Sequence, residues 1–286
     1  MSEIDAAASV EEGVPPVGAL AAAEPAAESE PEPEPESEPE PEPEPEPVAA
    51  APAAIAAPAG LESSVLTGQR VPVLEDLLAM GREFMRNFES YKVMAEDPAR
   101  GHQARKCYFQ DTQLPVTLVR LRADGFTLEH VAKFYGGFDT NLPIMVPEMT
   151  LTPLCVDEGA ATRWFRMKPP KPLSPRTLVT SSYKVFNPED GSFIWIVSSR
   201  GNDAIYDAEV GAKRIKAKDV RATVHIDFNH FLPSEDGKSM ICHKIMCMDV
   251  GGNVPEIAKK KMAKRQVEGH QGLIDWCLLG KVPEPL

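Results

Sequence analysis

The 286-residue chain carries 43 acidic and 30 basic side chains, for a formal charge of −13, yet 15 of the acidic residues and none of the basic ones lie before residue 61. The remainder is nearly neutral, at about +2, with no stripe of interleaved basic and aromatic residues, which argues against a nucleic-acid partner. Five cysteines without a C-x-x-C pair, no basic-apolar leader in Met1–Ala8 and no run of some 18 apolar residues predict a cytoplasmic protein in a reducing compartment.

Residues 1–60 alternate Glu and Pro between Ala-rich flanks, with 13 prolines among them. Like-charge repulsion and fixed proline φ extend such a chain, and it has too little apolar surface to offset the entropy of ordering, so a disordered tail is predicted. Its simplest role is a solubilising spacer. A partner-binding arm, or an acidic sleeve over a basic face, is the alternative.

A first helix is predicted over 73–91, where Leu74, Leu77, Leu78, Gly81, Phe84 and Phe88 recur at helical spacing just after Pro72. Strands follow over 102–109 and 115–122. Thr127 then caps a short helix over 128–135 that ends at Gly136-Gly137. The stretch 138–153, broken by three prolines, reads as loop or broken helix. Strands at 161–167, 177–186, 192–199, 220–232 and 239–249 alternate with turns rich in Pro, Asp and Gly, the pattern of an antiparallel meander.

The chain then runs through Asp249-Val250-Gly251-Gly252-Asn253-Val254-Pro255 into a helix predicted over 254–279, with Pro255 in the first turn where its missing N–H costs nothing. Ala258, Met262, Ala263, Val267, His270, Leu273, Ile274, Trp276, Cys277 and Leu278 share one arc, opposite Lys261, Lys264, Arg265, Glu268, Gln271 and Asp275. An apolar face that wide must be buried, and the upstream sheet is its partner.

Three motifs in this order, Ser174-Pro175-Arg176, Val220-Arg221-Ala222 and the 249–255 bridge, resemble those of the steroidogenic-acute-regulatory-related lipid-transfer (START) domain over about residues 70–282. The resemblance implies an α+β helix-grip fold, a curved antiparallel sheet wrapped round a long C-terminal helix. It further implies that one lipid (phospholipid, sterol or other apolar molecule) is held in an internal tunnel and moved between membranes without chemistry. The alternatives are a lipid-gated sensor of protein partners, or a cyclase or hydrolase of the wider superfamily. Sterol-binding members commonly place an ion pair in the tunnel, but this chain has Arg163 and Ser182 at the corresponding positions.

Candidate lipid-binding residues are Arg176, Arg221, His225, Lys259 and Met262. The two arginines correspond to motif arginines of the family and face either a headgroup or a structural partner, since a buried guanidinium must be paired. Arg221, Thr223, His225, Asp227 and Asn229 form a polar row opposite Ala222, Val224, Ile226 and Phe228; such clean alternation predicts a solvated row, with a tunnel wall as the alternative. Lys259 interrupts the apolar arc, and with Lys260, Lys261, Lys264 and Arg265 it predicts docking to an anionic membrane surface. Met240, Met246 and Met248 of the last strand would suit varied apolar guests. No metal-ligand spacing, nucleophile elbow or phosphate loop is present, so neither catalysis nor a cofactor is expected.

Overall fold

A computed structural model describes residues 54–110, 112–169, 173–211, 214–254 and 256–279, with side chains throughout except at Arg100 and 256–267. The predicted tail thus lies almost wholly outside the described residues. The elements are α1 (Arg70–Arg86), β1 (Lys92–Asp97), β2 (His102–Tyr108), β3 (Pro115–Asp124), α2 (Leu128–Gly136), α3 (Phe138–Met145), β4 (Met149–Asp157) and β5 (Ala160–Met167). They continue with β6 (Arg176–Phe186), β7 (Phe193–Ser198), a short α4 (Asp203–Ile205), β8 (Val220–Arg221), β9 (Thr223–Pro233), β10 (Ser239–Asp249) and α5 (Glu256–Leu279).

The strands form one sheet in the order β1-β2-β3-β10-β9-β7-β6-β5-β4, antiparallel throughout, with β8 pairing parallel to β6. The meander and the closing helix agree with the sequence reading, and the α+β helix-grip class is the observed one. Two strands, β1 and β4, and the short α4 escaped prediction, whereas 138–153 follows the broken-helix reading in its first half. β1 is almost entirely exposed, and its charged sequence suits an edge strand that must not recruit another chain. β4 carries Pro153, which an edge strand tolerates because the missing N–H faces no neighbour; the register with β5 shifts just after it. Within 138–153 the chain also forms α3, which contains Pro143 and stops soon after it.

Alternation along β10 sorts its side chains between two cores. Met240, Cys242 and Met248 pack on the inner face with Leu273, Ile274 and Cys277 of α5 and Phe134 of α2. Ile245 and Cys247 pack on the outer face beneath Leu77, Leu78 and Phe84 of α1. α1 approaches so closely that a Cβ on Gly81 would lie 2.4 Å from the Phe228 ring.

The packed domain begins before residue 61. Ile55 N–H donates to Pro188 O at 2.8 Å, Leu61 is fully buried, and Ser63 and Ser64 accept from the N–H groups of Phe186 and Lys184. These bonds satisfy the end of β6 beyond its pairing with β5.

Candidate functional site

Between the inner face of the sheet and its helices lies a cavity of about 190 Å³. Its sheet wall comes from Phe165 and Met167 of β5, Leu178 and Thr180 of β6, Trp195 and Val197 of β7, and residues of β9 and β10. Its helical wall comes from Phe134 and Tyr135 of α2, Phe138, Leu142 and Met145 of α3, and Gly269, His270 and Leu273 of α5. Five methionines, at 145, 149, 167, 246 and 248, line it. Two of these, Met246 and Met248, come from the last strand; Met240 lies instead in the packed core.

The chain places α2 by a local device, His130 Nδ1 accepting the Thr127 N–H at 3.2 Å, and then by aromatic contact. Phe134 meets the α5 indole of Trp276 edge-on at 5.6 Å, and Tyr135 lies 4.8 Å from Trp195. These rings tie the helical lid to itself and to the sheet.

Besides Thr180, three polar side chains stand together on the largely apolar sheet wall. Lys244 Nζ donates to Asp227 Oδ1 at 2.7 Å and to Asn229 Oδ1 at 3.0 Å, and Asn229 Nδ2 donates to Asp227 Oδ1 at 2.9 Å. Lys244 was not singled out in the sequence, where a lysine in a strand reads as solvent-facing. Asp227 and Asn229 were expected in solvent with the rest of their row, and that expectation is corrected. A β-bulge is the reason: Ile226 pairs with Cys247 but Val224 with Met248, so His225 is an extra residue. On one side of it Ala222 and Val224 face inward; on the other Asp227, Asn229 and Phe231 do, while Ile226 and Phe228 face α1.

The predicted site residues that are described lie away from this cavity. His225 sits at the bulge with its ring 5.0 Å from that of Phe109, on the outer face, and burial lowers its pKa. Arg221 is exposed, paired with Asp203 and stacked 4.1 Å over Tyr206. Arg176 is buried and donates to Val250 O at 2.7 Å and Gly251 O at 3.3 Å, so it holds the bridge between β10 and α5; burial lowers its pKa. In that bridge Gly251 has φ +64°, and a Cβ there would lie 2.2 Å from Arg221 O. Lys259 and Met262 lie in α5, but their side chains, with those of Lys260, Lys261, Lys264 and Arg265, fall outside the described residues.

Beyond Tyr135, Phe138 and Trp195, which it shares with the cavity, lies a more polar recess of about 410 Å³. Arg163 there donates to Ser182 Oγ at 2.7 Å and pairs with Asp139, an acid supplied by α3. Lys184 donates to Gly60 O at 2.7 Å, and burial lowers its pKa.

Three of the thiols offer little chemistry. Burial raises the thiols of Cys247 and Cys277 to about 12 and that of Cys107 to about 11, which keeps them protonated and unreactive near neutral pH. Among the described residues no cluster of His, Cys, Asp and Glu could hold a metal ion. No described helix is long and apolar enough to cross a membrane.

No protein-family model matches the sequence, and no curated protein does. Solved structures do match in shape. Human StAR-related lipid transfer protein 5 superposes with a TM-score of 0.58 at 14% identity, covering 73% of this chain and 95% of its own. Human STARD10 gives 0.52 at 15% identity over 77% and 84%, and the human StarD13 (DLC2) lipid transfer and protein localization domain 0.51 at 11% over 71% and 98%. The sheet order, the closing helix and these superpositions together give the described residues the START-domain fold, a helix-grip arrangement with a cavity beneath the last helix.

Proposed function

We propose that this domain holds one lipid, or a similarly apolar molecule, in the cavity under α5 and carries it between membranes without altering it. The observation that supports the reading is the cavity wall itself: rings and methionine side chains from both the sheet and the helices, interrupted by a self-paired polar triad and by Thr180 and His270. An apolar guest gains roughly 0.8 kcal/mol for each CH₂ it buries there.

At about 190 Å³ the cavity exceeds the ~150 Å³ engineered cavity that takes benzene, and falls below the ~300–1,000 Å³ of most small-molecule sites. A whole lipid therefore enters only if the walls yield. The five unbranched methionine side chains are the part of the wall best able to do so.

Native mass spectrometry of the full chain with extracted lipids, followed by transfer between donor and acceptor vesicles, tests the proposal. A retained lipid with accelerated transfer supports carriage, and a retained lipid without transfer points to a sensor. Absence of any bound lipid overturns both, and turnover of the guest overturns the non-catalytic reading. The basic run of α5 is the proposed membrane contact, so charge reversal at Lys259 and Lys260 should weaken binding to anionic vesicles.

A further inference from the structure

The Lys244–Asp227–Asn229 triad satisfies itself, but one polar side chain in the cavity wall does not. His270 of α5 is 1% exposed, and among the described residues neither its Nδ1 nor its Nε2 has a hydrogen-bond partner. Buried polar groups are nearly always paired, and one that is unpaired and borders a cavity marks where a guest completes the bonding.

The surroundings define which guest. Burial first, and then the positive charge of Lys244 and the neighbouring His243 and His102, hold His270 well below its ordinary pKa, so the ring is neutral. A neutral imidazole has one N–H donor and one lone pair. A hydroxyl can meet whichever nitrogen faces the cavity, accepting from the N–H or donating to the lone pair. A carboxylate or phosphate can only accept. An anion would also bring its charge into a wall where Lys244 is already matched by Asp227 at 2.7 Å. Phe231, whose ring lies 6.2 Å from that of His270, and Leu273 one turn along the helix keep the rest of the contact apolar.

We propose that the preferred guest is an uncharged alcohol, an apolar body carrying a hydroxyl, and that His270 is the residue that hydrogen-bonds the hydroxyl and sets this preference. The proposal rests on the reading that the cavity holds an apolar molecule.

The test uses three probes of one chain length, 1-octanol, octanoate and n-octane, titrated into the full chain at pH 7.5 by calorimetry, with the His270 ring nitrogens followed by ¹⁵N NMR. Octanol should bind at least tenfold more tightly than octane and octanoate, and should shift the His270 resonances. His270→Leu should bind octanol and octane equally, and His270→Gln, which keeps a donor and an acceptor, should retain part of the preference. If His270→Leu fails to fold, His270→Gln and the wild-type resonances still decide. Equal binding of octanol and octane by the wild type, tighter binding of octanoate, or an unmoved His270 resonance would overturn the role of His270 while leaving an apolar cavity intact. Failure of all three probes to bind would overturn the cavity reading and this proposal with it.

Discussion

The Lys244–Asp227 pair allows a quantitative check on the cavity wall. The side chains are 15% and 20% exposed and their charged atoms lie 2.7 Å apart, with Asn229 bridging both. Removing one partner of a fully buried pair costs about 3–5 kcal/mol, because the other charge is left without compensation. Here the residual exposure screens part of that cost, and Asn229 Nδ2 still serves Asp227, so Lys244→Met should cost about 2–3 kcal/mol. Asp227→Asn keeps the shape but strands the ammonium and should cost a similar amount. The double variant removes both charges and should recover most of the loss, giving a coupling energy of about 1.5 kcal/mol or more. Urea denaturation of the four proteins measures this, and with a slope of about 2–3 kcal/mol/M each single variant should lower the midpoint by about 1 M. Strict additivity, or a Lys244→Met loss below about 0.5 kcal/mol, would show that the pair is a solvated surface contact and that the bulge does not turn it inward.

Other consequences follow from the same packing. Gly81→Ala would set a Cβ 2.4 Å from the buried Phe228 ring; overpacking costs about 1–3 kcal/mol, more than alanine's helix propensity returns, so a lowered urea midpoint is expected and an unchanged or raised one would refute the close approach. Arg176→Met should leave the Val250 and Gly251 carbonyls unpaired, at about 1–3 kcal/mol, and should speed hydrogen exchange in α5; loss of guest affinity with no change in exchange would instead make Arg176 a ligand contact. Burial lowers His243 to about 4, holds His270 well below its ordinary value, and also lowers His230. Below about pH 6.5 the unfolded chain binds more protons than the folded one, so stability present at neutral pH falls on acidification, by up to about 1.4 kcal/mol per pH unit for each such ring. His270→Leu should flatten the melting temperature between pH 6.5 and 5, and an unchanged slope would mean that this ring is not held neutral.

Much of the architecture was legible because its signals are local. The Gly251-Gly252 bridge, the arc of Leu273, Ile274 and Cys277, and the turns that join β6 to β7 and β9 to β10 depend on backbone sterics and short-range periodicity, and these stand where expected. β1 and β4 were not legible because edge strands need no buried face, and Pro153 in the latter reads as a strand breaker unless the edge position is known. The motif arginines could be placed on their strands but not assigned a partner. What Arg176 touches depends on carbonyls more than 70 residues away in sequence.

The polar part of the cavity was the least legible, and the bulge explains why. Strict alternation would keep Thr223, His225, Asp227 and Asn229 on one side of the sheet and Val224, Ile226 and Phe228 on the other. One extra residue at His225 exchanges the faces partway along β9, so the apolar Val224 and the polar Asp227 come to share the inner wall. The same step sends Ile226 and Phe228 outward to fill the space against Leu77 and Gly81 of α1. A single insertion thus serves both layers: it supplies the outer core with its apolar residues and gives the cavity a polar partner for Lys244. Deleting His225 should therefore remove little more than one imidazole. Val224–Met248 and Ile226–Cys247 would become successive pairs of a regular ladder, Asp227 and Asn229 would stay beside Lys244, and Ile226 and Phe228 would stay against α1, so guest binding should survive the deletion and a collapse of both layers would refute the bulge.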